Sequence, residues 1–266
     1  MTRARVLAVV VVVSMLATGA RAGAASGAGP APRTESFSLR GVAQTLHLYG
    51  ATGGKLAIVT SGDGGWVHLG PDIAEFLAGE GYQVLGFDAK SYLSSFTSKR
   101  GPLSVDEVPR DYGALVEHAA KGGSGRPLLV GVSEGAGLSV LAATSPEVRS
   151  RVAGVVVLGL PDKNELGWRW RDSIIYITKK VPDEPTFSVR DVVGRVSPVP
   201  LAVLHSTHDE FVTLPAIRDI LAQAREPKQL WVIEAADHRF SDNRPELQRR
   251  LREAITWIES QGSPAP

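Results

Sequence analysis

The chain has 266 residues, 43% of them hydrophobic and 21% charged, and carries a formal net charge of +1. That length and apolar content suit one large domain with a full core, and the balance of charge excludes a dedicated nucleic-acid binder, whose basic excess would concentrate on one face. There is no cysteine, which excludes disulfides, a cysteine nucleophile, thiolate metal sites and a lipid attached through a lipobox cysteine.

Arg3 and Arg5 precede the apolar run "VLAVVVVVSMLATG" at 6–19, and "ARA" follows at 20–22. A basic start, a short apolar stretch and small residues make the pattern of a secretory signal peptide, expected over 1–22 with the cut near Ala22. The run is shorter than the roughly 20 residues of a membrane-spanning helix; an uncleaved anchor is the alternative. "GAASGAGPAPR" then reads as flexible chain, giving a linker over 23–34 and a folded domain over 35–262. The expected location is periplasmic or otherwise extracytoplasmic.

Within that domain, "SFSLR" and "QTLHLYG" read as two short strands joined near Arg40 and Gly41. "KLAIVTSG" (55–62) is a buried strand, "DIAEFLAGEGY" (72–82) a helix stopped at Gly81, and "QVLGFDA" (83–89) the next strand. Ser104 and Glu107 form a capping box before a helix reaching about Ala120. "PLLVGV" (127–132) is a strand and "EGAGLSVLAA" the helix after it. "VAGVVVLGL" (152–160), "PLAVLHS" (200–206) and "QLWVIEAAD" (229–237) complete the strands, with helices at 214–224 and 244–260. Strands that are continuous apolar runs, alternating with helices, predict a mostly parallel sheet covered on both faces. In such sheets ligands bind beyond the carboxyl ends of the strands.

Three polar residues fall at those ends. Gly131-Val132-Ser133-Glu134-Gly135 fits the G-x-S-x-G elbow, in which a serine sits on a sharp strand-to-helix turn. Asp209 follows the strand 200–206 and His238 follows the strand at 229–237. The chain order Ser, Asp, His is that of the α/β-hydrolase triad. A serine hydroxyl is a weak nucleophile until an imidazole accepts its proton. His238 would take that proton and return it to the leaving group, while Asp209 fixes the tautomer. The oxyanion needs backbone donors. The Glu134 amide is the first, and the second is expected in "SGDGGW", from Asp63 or Gly64, with Gly62, Gly65 and Trp66 completing that loop. A histidine base also predicts activity that falls as imidazole protonates, around 6.5 for histidines in general.

Rival assignments exist for each polar neighbour. Glu210 is the alternative acid to Asp209, Asp237 reads as a turn residue, and Asp88 as structural. His205, His208 and Asp209 have metal-ligand spacing, but they sit at a strand end with no further cluster. His47, His68 and His118 read as ordinary histidines. No dinucleotide fingerprint or Walker sequence occurs, so no cofactor and no metal are expected. The segment 161–198 is long for a connection and reads as a cap-like insertion. Trp168, Trp170, Ile174, Ile175 and Tyr176 would give it an apolar wall, beside Arg169, Arg171, Lys179 and Lys180; the alternative is that the aromatics simply pack the cap onto the body.

"SGDGGW", the following "IAEFLAGEGYQVLGFDAKSYL", the elbow and "ADHRF" together resemble the bacterial VirJ/AcvB family of exported α/β-hydrolase proteins associated with virulence. The resemblance implies a periplasmic serine hydrolase with Ser133, Asp209 and His238 as its catalytic residues. It also implies ester substrates, in some members lysyl-phosphatidylglycerol, whose cationic head Asp63 and Glu134 would receive. The chain departs from the family at Glu134, where the family elbow carries a bulky aromatic. The expected function is therefore a cofactor-free serine hydrolase acting on a small-molecule or lipid ester through an acyl-enzyme. The alternatives are an acyltransferase on the same triad, and a non-catalytic envelope protein that binds a lipid or secretion-system partner. Peripheral association with a membrane is compatible with each.

Overall fold

The computed structural model describes residues 31–169 and 184–262. The segments read as signal peptide and most of the linker lie outside the described residues. So do Trp170, Arg171, Ile174, Ile175, Tyr176, Lys179 and Lys180 of the insertion.

An eight-stranded sheet in the order β1-β2-β4-β3-β5-β6-β9-β10 forms the centre. Its strands are β1 (Arg33–Leu39), β2 (Val42–Tyr49), β3 (Lys55–Thr60), β4 (Tyr82–Phe87), β5 (Ser124–Val132), β6 (Gly154–Leu158), β9 (Leu201–Ser206) and β10 (Lys228–Ile233). β2 runs antiparallel to β1 and β4, and β4, β3, β5, β6, β9 and β10 are mutually parallel. β1 starts at Arg33, just inside the stretch expected to be linker.

The apolar runs explain the layering. Val155 and Val157 of β6 fall in one core cluster and Val156 and Leu158 in the other, as the two-residue period of a strand requires. One face is covered by α1 (Leu69–Gly79) and α8 (Arg244–Gly262), which bury Ile73, Leu77, Leu247, Leu251, Ala254 and Ile258. The other is covered by α2 (Ala89–Lys99), α3 (Glu107–Ala120), α4 (Glu134–Ala143), α5 (Pro146–Arg151), the short α6 (Val189–Val192) and α7 (Leu214–Gln223). This is the α/β-hydrolase fold.

A partly buried ionic cluster pins the edge hairpin to the body. Arg40, in the β1–β2 turn, donates from Nε and Nη2 to Asp111 of α3 at 2.8 and 2.7 Å, while Tyr92 of α2 donates to the same carboxylate at 2.6 Å. The planar guanidinium suits this two-pronged contact. The expected capping box is half formed, with Ser104 N–H donating to Glu107 Oε2 at 2.8 Å.

The insertion contributes β7 (Lys163–Glu165) and β8 (Thr186–Ser188), which pair antiparallel. Trp168 packs on the body rather than standing over open space. Its amide donates to Thr97 Oγ1 at 3.1 Å and its ring receives Lys90 Nζ at 4.6 Å. Arg169 is ion-paired with the buried Glu184.

Candidate active site

Ser133 follows β5 directly and is the N-cap of α4, with φ 52° and ψ −118°. A side chain at positive φ is strained, and the surroundings hold it there. Ser133 N–H donates to Leu158 O of β6 at 2.9 Å, and Ser133 O accepts from Ala136 N at 2.8 Å. The flanking glycines are required by space. A Cβ at Gly131 would lie 2.3 Å from Gly135 O, and one at Gly135 would lie 2.3 Å from Ser61 O. The G-x-S-x-G spacing therefore lets α4 begin directly against β5 and β3, with the serine at the N-terminus of a helix that favours negative charge.

Asp209 and His238 meet across the ends of β9 and β10. His238 Nδ1 lies 2.7 Å from Asp209 Oδ2. Asp209 Oδ1 accepts from Phe211 N and Val212 N at 2.9 and 2.8 Å. Burial pushes the Asp209 carboxyl up, but the hydrogen bond and charge of His238 and the two amides outweigh it, and the group lies below the ordinary carboxylate range. His238 packs closely against Gly159, where a Cβ would come within 2.2 Å of its Cε1. Its amide donates to Glu210 Oε2 at 2.8 Å, so Glu210 holds the backbone of His238 while Asp209 takes the ring. Asp237 accepts from the Arg239 and Ser241 amides, both at 3.0 Å, and shapes the turn. Asp88 caps α2 by accepting from Ser91 N at 3.0 Å.

Ser133, Glu134 and His238 line one cleft together with Gly62, Asp63, Gly64 and Gly65. Gly62 touches Ser133, its Cβ position lying 3.2 Å from the serine Cβ. Gly65 N–H is committed to Gly62 O at 3.1 Å. Trp66, expected in this loop site, is not among the lining residues. Its ring stacks on His47 at 4.7 Å, its Nε1 donates to Tyr49 at 3.1 Å, and it fills the space left by Gly86 on β4, where a Cβ would be 2.2 Å away.

Glu134 is buried, and its Oε1 accepts from the Glu165 amide of β7 at 2.6 Å. Burial first, then the charges of Glu165 and Asp63, raise its carboxyl well above the usual range in spite of that hydrogen bond. The cleft also contains residues that sequence reasoning did not select, namely His68, Val67, Lys163, Phe211 and Arg239. Phe211 is 61% exposed and meets the His238 ring edge-on at 5.3 Å. His68, which the sequence presents as an ordinary histidine, lines the cleft, and its place two residues after "SGDGGW" is the signal that points there. His205 and His208 diverge: His205 is fully buried, whereas His208 is exposed beside Glu234. Among the described residues no group of three His, Asp or Glu side chains is placed to hold a metal ion, and no helix is long and apolar enough to cross a membrane.

Comparison with known proteins agrees on the class. The esterase Est1E from Butyrivibrio proteoclasticus superposes with a TM-score of 0.63 at 15% identity, covering 88% of this chain and 100% of that one. The α/β hydrolase GrgF from Penicillium sp. sh18 gives 0.65 at 14% identity, covering 86% and 100%. A membrane phospholipase A described as a bacterial virulence factor gives 0.63 at 12% identity, covering 86% and 87%. At such identities these likenesses carry the fold. More particularly, residues 54–170 match the family described as bacterial virulence protein (VirJ), so the resemblance read from the sequence holds over that stretch. No curated protein matches the chain.

Proposed function

We propose that the protein is a serine hydrolase that cleaves a carboxylic ester through an acyl-enzyme. The observation that carries this reading is the strained Ser133 in the same cleft as an imidazole whose Nδ1 is engaged by a buried carboxylate. With Nδ1 donating to Asp209, Nε2 is the ring nitrogen left to accept the serine proton. Ser133 Oγ attacks the ester carbon, His238 passes the proton to the departing alcohol, and water activated by the same ring releases the acid. The Glu134 amide and an amide of Asp63 or Gly64 would receive the oxyanion.

The substrate we propose is an aminoacyl phospholipid of the lysyl-phosphatidylglycerol type, met outside the cytoplasm after export by a signal peptide at 1–22. The VirJ match and the acidic residue Asp63 at the cleft support it; Glu134, buried and with its carboxyl pushed toward the neutral form, is not the charge partner expected from the sequence. The test is to incubate purified protein with that lipid and, separately, with a short-chain activated ester. Free lysine, absent with Ser133→Ala, is the expected result. Ester cleavage without lysine release would retain the hydrolase and discard the lipid. No turnover of either by folded protein would overturn the hydrolase reading.

A further inference from the structure

His205 is the one buried histidine that the proposed mechanism leaves without a task. It sits near the end of β9, is 0% exposed, and neither ring nitrogen has a hydrogen-bond partner. By strand alternation it shares a face with Leu201 and Val203, which lie in the larger core cluster. A leucine there would avoid burying two unsatisfied polar atoms. Its Nδ1 lies 4.0 Å from Asp209 Oδ2, the same oxygen that receives His238 Nδ1.

Asp209 has room for such a neighbour. A carboxylate offers about four acceptor positions, and Phe211 N, Val212 N and His238 Nδ1 account for three. We propose that His205 is a positioning residue for Asp209, a second, deeper imidazole that presents an N–H dipole to Oδ2 and holds that oxygen in line with His238. The role rests on the serine-hydrolase reading only for its catalytic consequence.

The proposal requires a neutral His205. Burial lowers its proton affinity more than Asp209 raises it, and His238 lowers it further, so the ring lies below the ordinary histidine value. Asp209 and His238 are the charged or titratable groups acting on it, together with the backbone of Val212. In its neutral form His205 offsets part of the Asp209 charge felt at His238. Removing that dipole should make His238 hold its proton more tightly and leave the carboxylate less firmly fixed.

The experiment compares wild type, His205→Phe and His205→Gln. It reads the titration midpoint of the His238 ring by NMR and the pH profile of fluorophosphonate labelling. In His205→Phe the midpoint and the acid limb should move together to higher pH, and the plateau labelling rate should fall severalfold, less than the roughly tenfold worth of a full hydrogen bond to a charged group. His205→Gln, which restores an N–H donor, should stay near wild type in both. Should the phenylalanine not fold, His205→Leu lacks the donor equally and is read the same way. An unmoved midpoint in the donor-free variant, whether or not labelling slows, would overturn the proposal, as would a glutamine variant no better than phenylalanine. If wild type takes no label, the hydrolase reading fails, while the His238 midpoint still decides the role of His205.

Discussion

Asp209 and Glu134 are each 8% exposed, yet their surroundings push their proton affinities in opposite directions. Asp209 is pushed up by burial, but the imidazole and two amides directed at it outweigh that and hold its carboxyl below the ordinary range. Glu134 has one amide and two neighbouring carboxylates, and its carboxyl is pushed well above the usual range. Burial alone therefore says little about a carboxyl; the number and sign of the groups facing it decide. Pairs of acids pushed apart in this way are a recurrent feature of sites that do proton chemistry. On the proposed mechanism, the carboxyl pushed down is the one suited to support an imidazolium, and the one pushed up is the one beside the expected oxyanion donor.

The largest way to break the contrast is to remove the charge of Asp209. Asp209→Asn should lower the rate of ester cleavage by about 10⁴-fold, through the wrong imidazole tautomer, with little change in fold. Steady-state kinetics beside circular dichroism would check both halves. A smaller loss is expected from Gly159→Ala. The added methyl would push on the His238 ring, and a displacement of that kind costs about a hundredfold. It should leave the Asp209 side of the site chemically intact.

The smallest effect falls on stability, and it separates the two acids by sign. Asp209 lies below its ordinary 3.8, so its stabilisation is present above that pH and is lost as pH falls through the lower native value. Glu134 lies above its ordinary 4.5, so the unfolded chain ionises first and the folded state loses stability as pH rises from there toward the native value. Glu134→Gln should remove that loss. Denaturant titrations at about pH 5 and about pH 8 should show the variant gaining on wild type at the higher pH. An equal difference at both would mean that Glu134 is ionised throughout.

Much of the architecture was legible, because parallel strands buried on both faces read as apolar runs and each ends where a polar loop begins. The elbow was legible for a steric reason, since only glycines at 131 and 135 let α4 approach β5 and β3. Periodicity assigns no helix to Ala89–Lys99, which is rich in serine and threonine. In the structure Ser94, Ser95, Thr97 and Ser98 turn their hydroxyls back onto carbonyls three or four residues earlier, and Tyr92, Leu93 and Phe96 are buried. Tertiary packing overrides the local preference there. Trp66 illustrates the limit for loops. Nothing in its neighbours reveals the slot above Gly86 that draws it away from the cleft, and nothing in the spacing of "HDEF" brings Phe211 against His238.

The central claim is that Ser133 is an activated nucleophile, and covalent labelling of the folded protein with a fluorophosphonate tests it most directly. Mass spectrometry should find one adduct, on Ser133, absent from Ser133→Ala and strongly reduced in Asp209→Asn. Folded protein that takes no label, or takes it at another residue, would contradict the account.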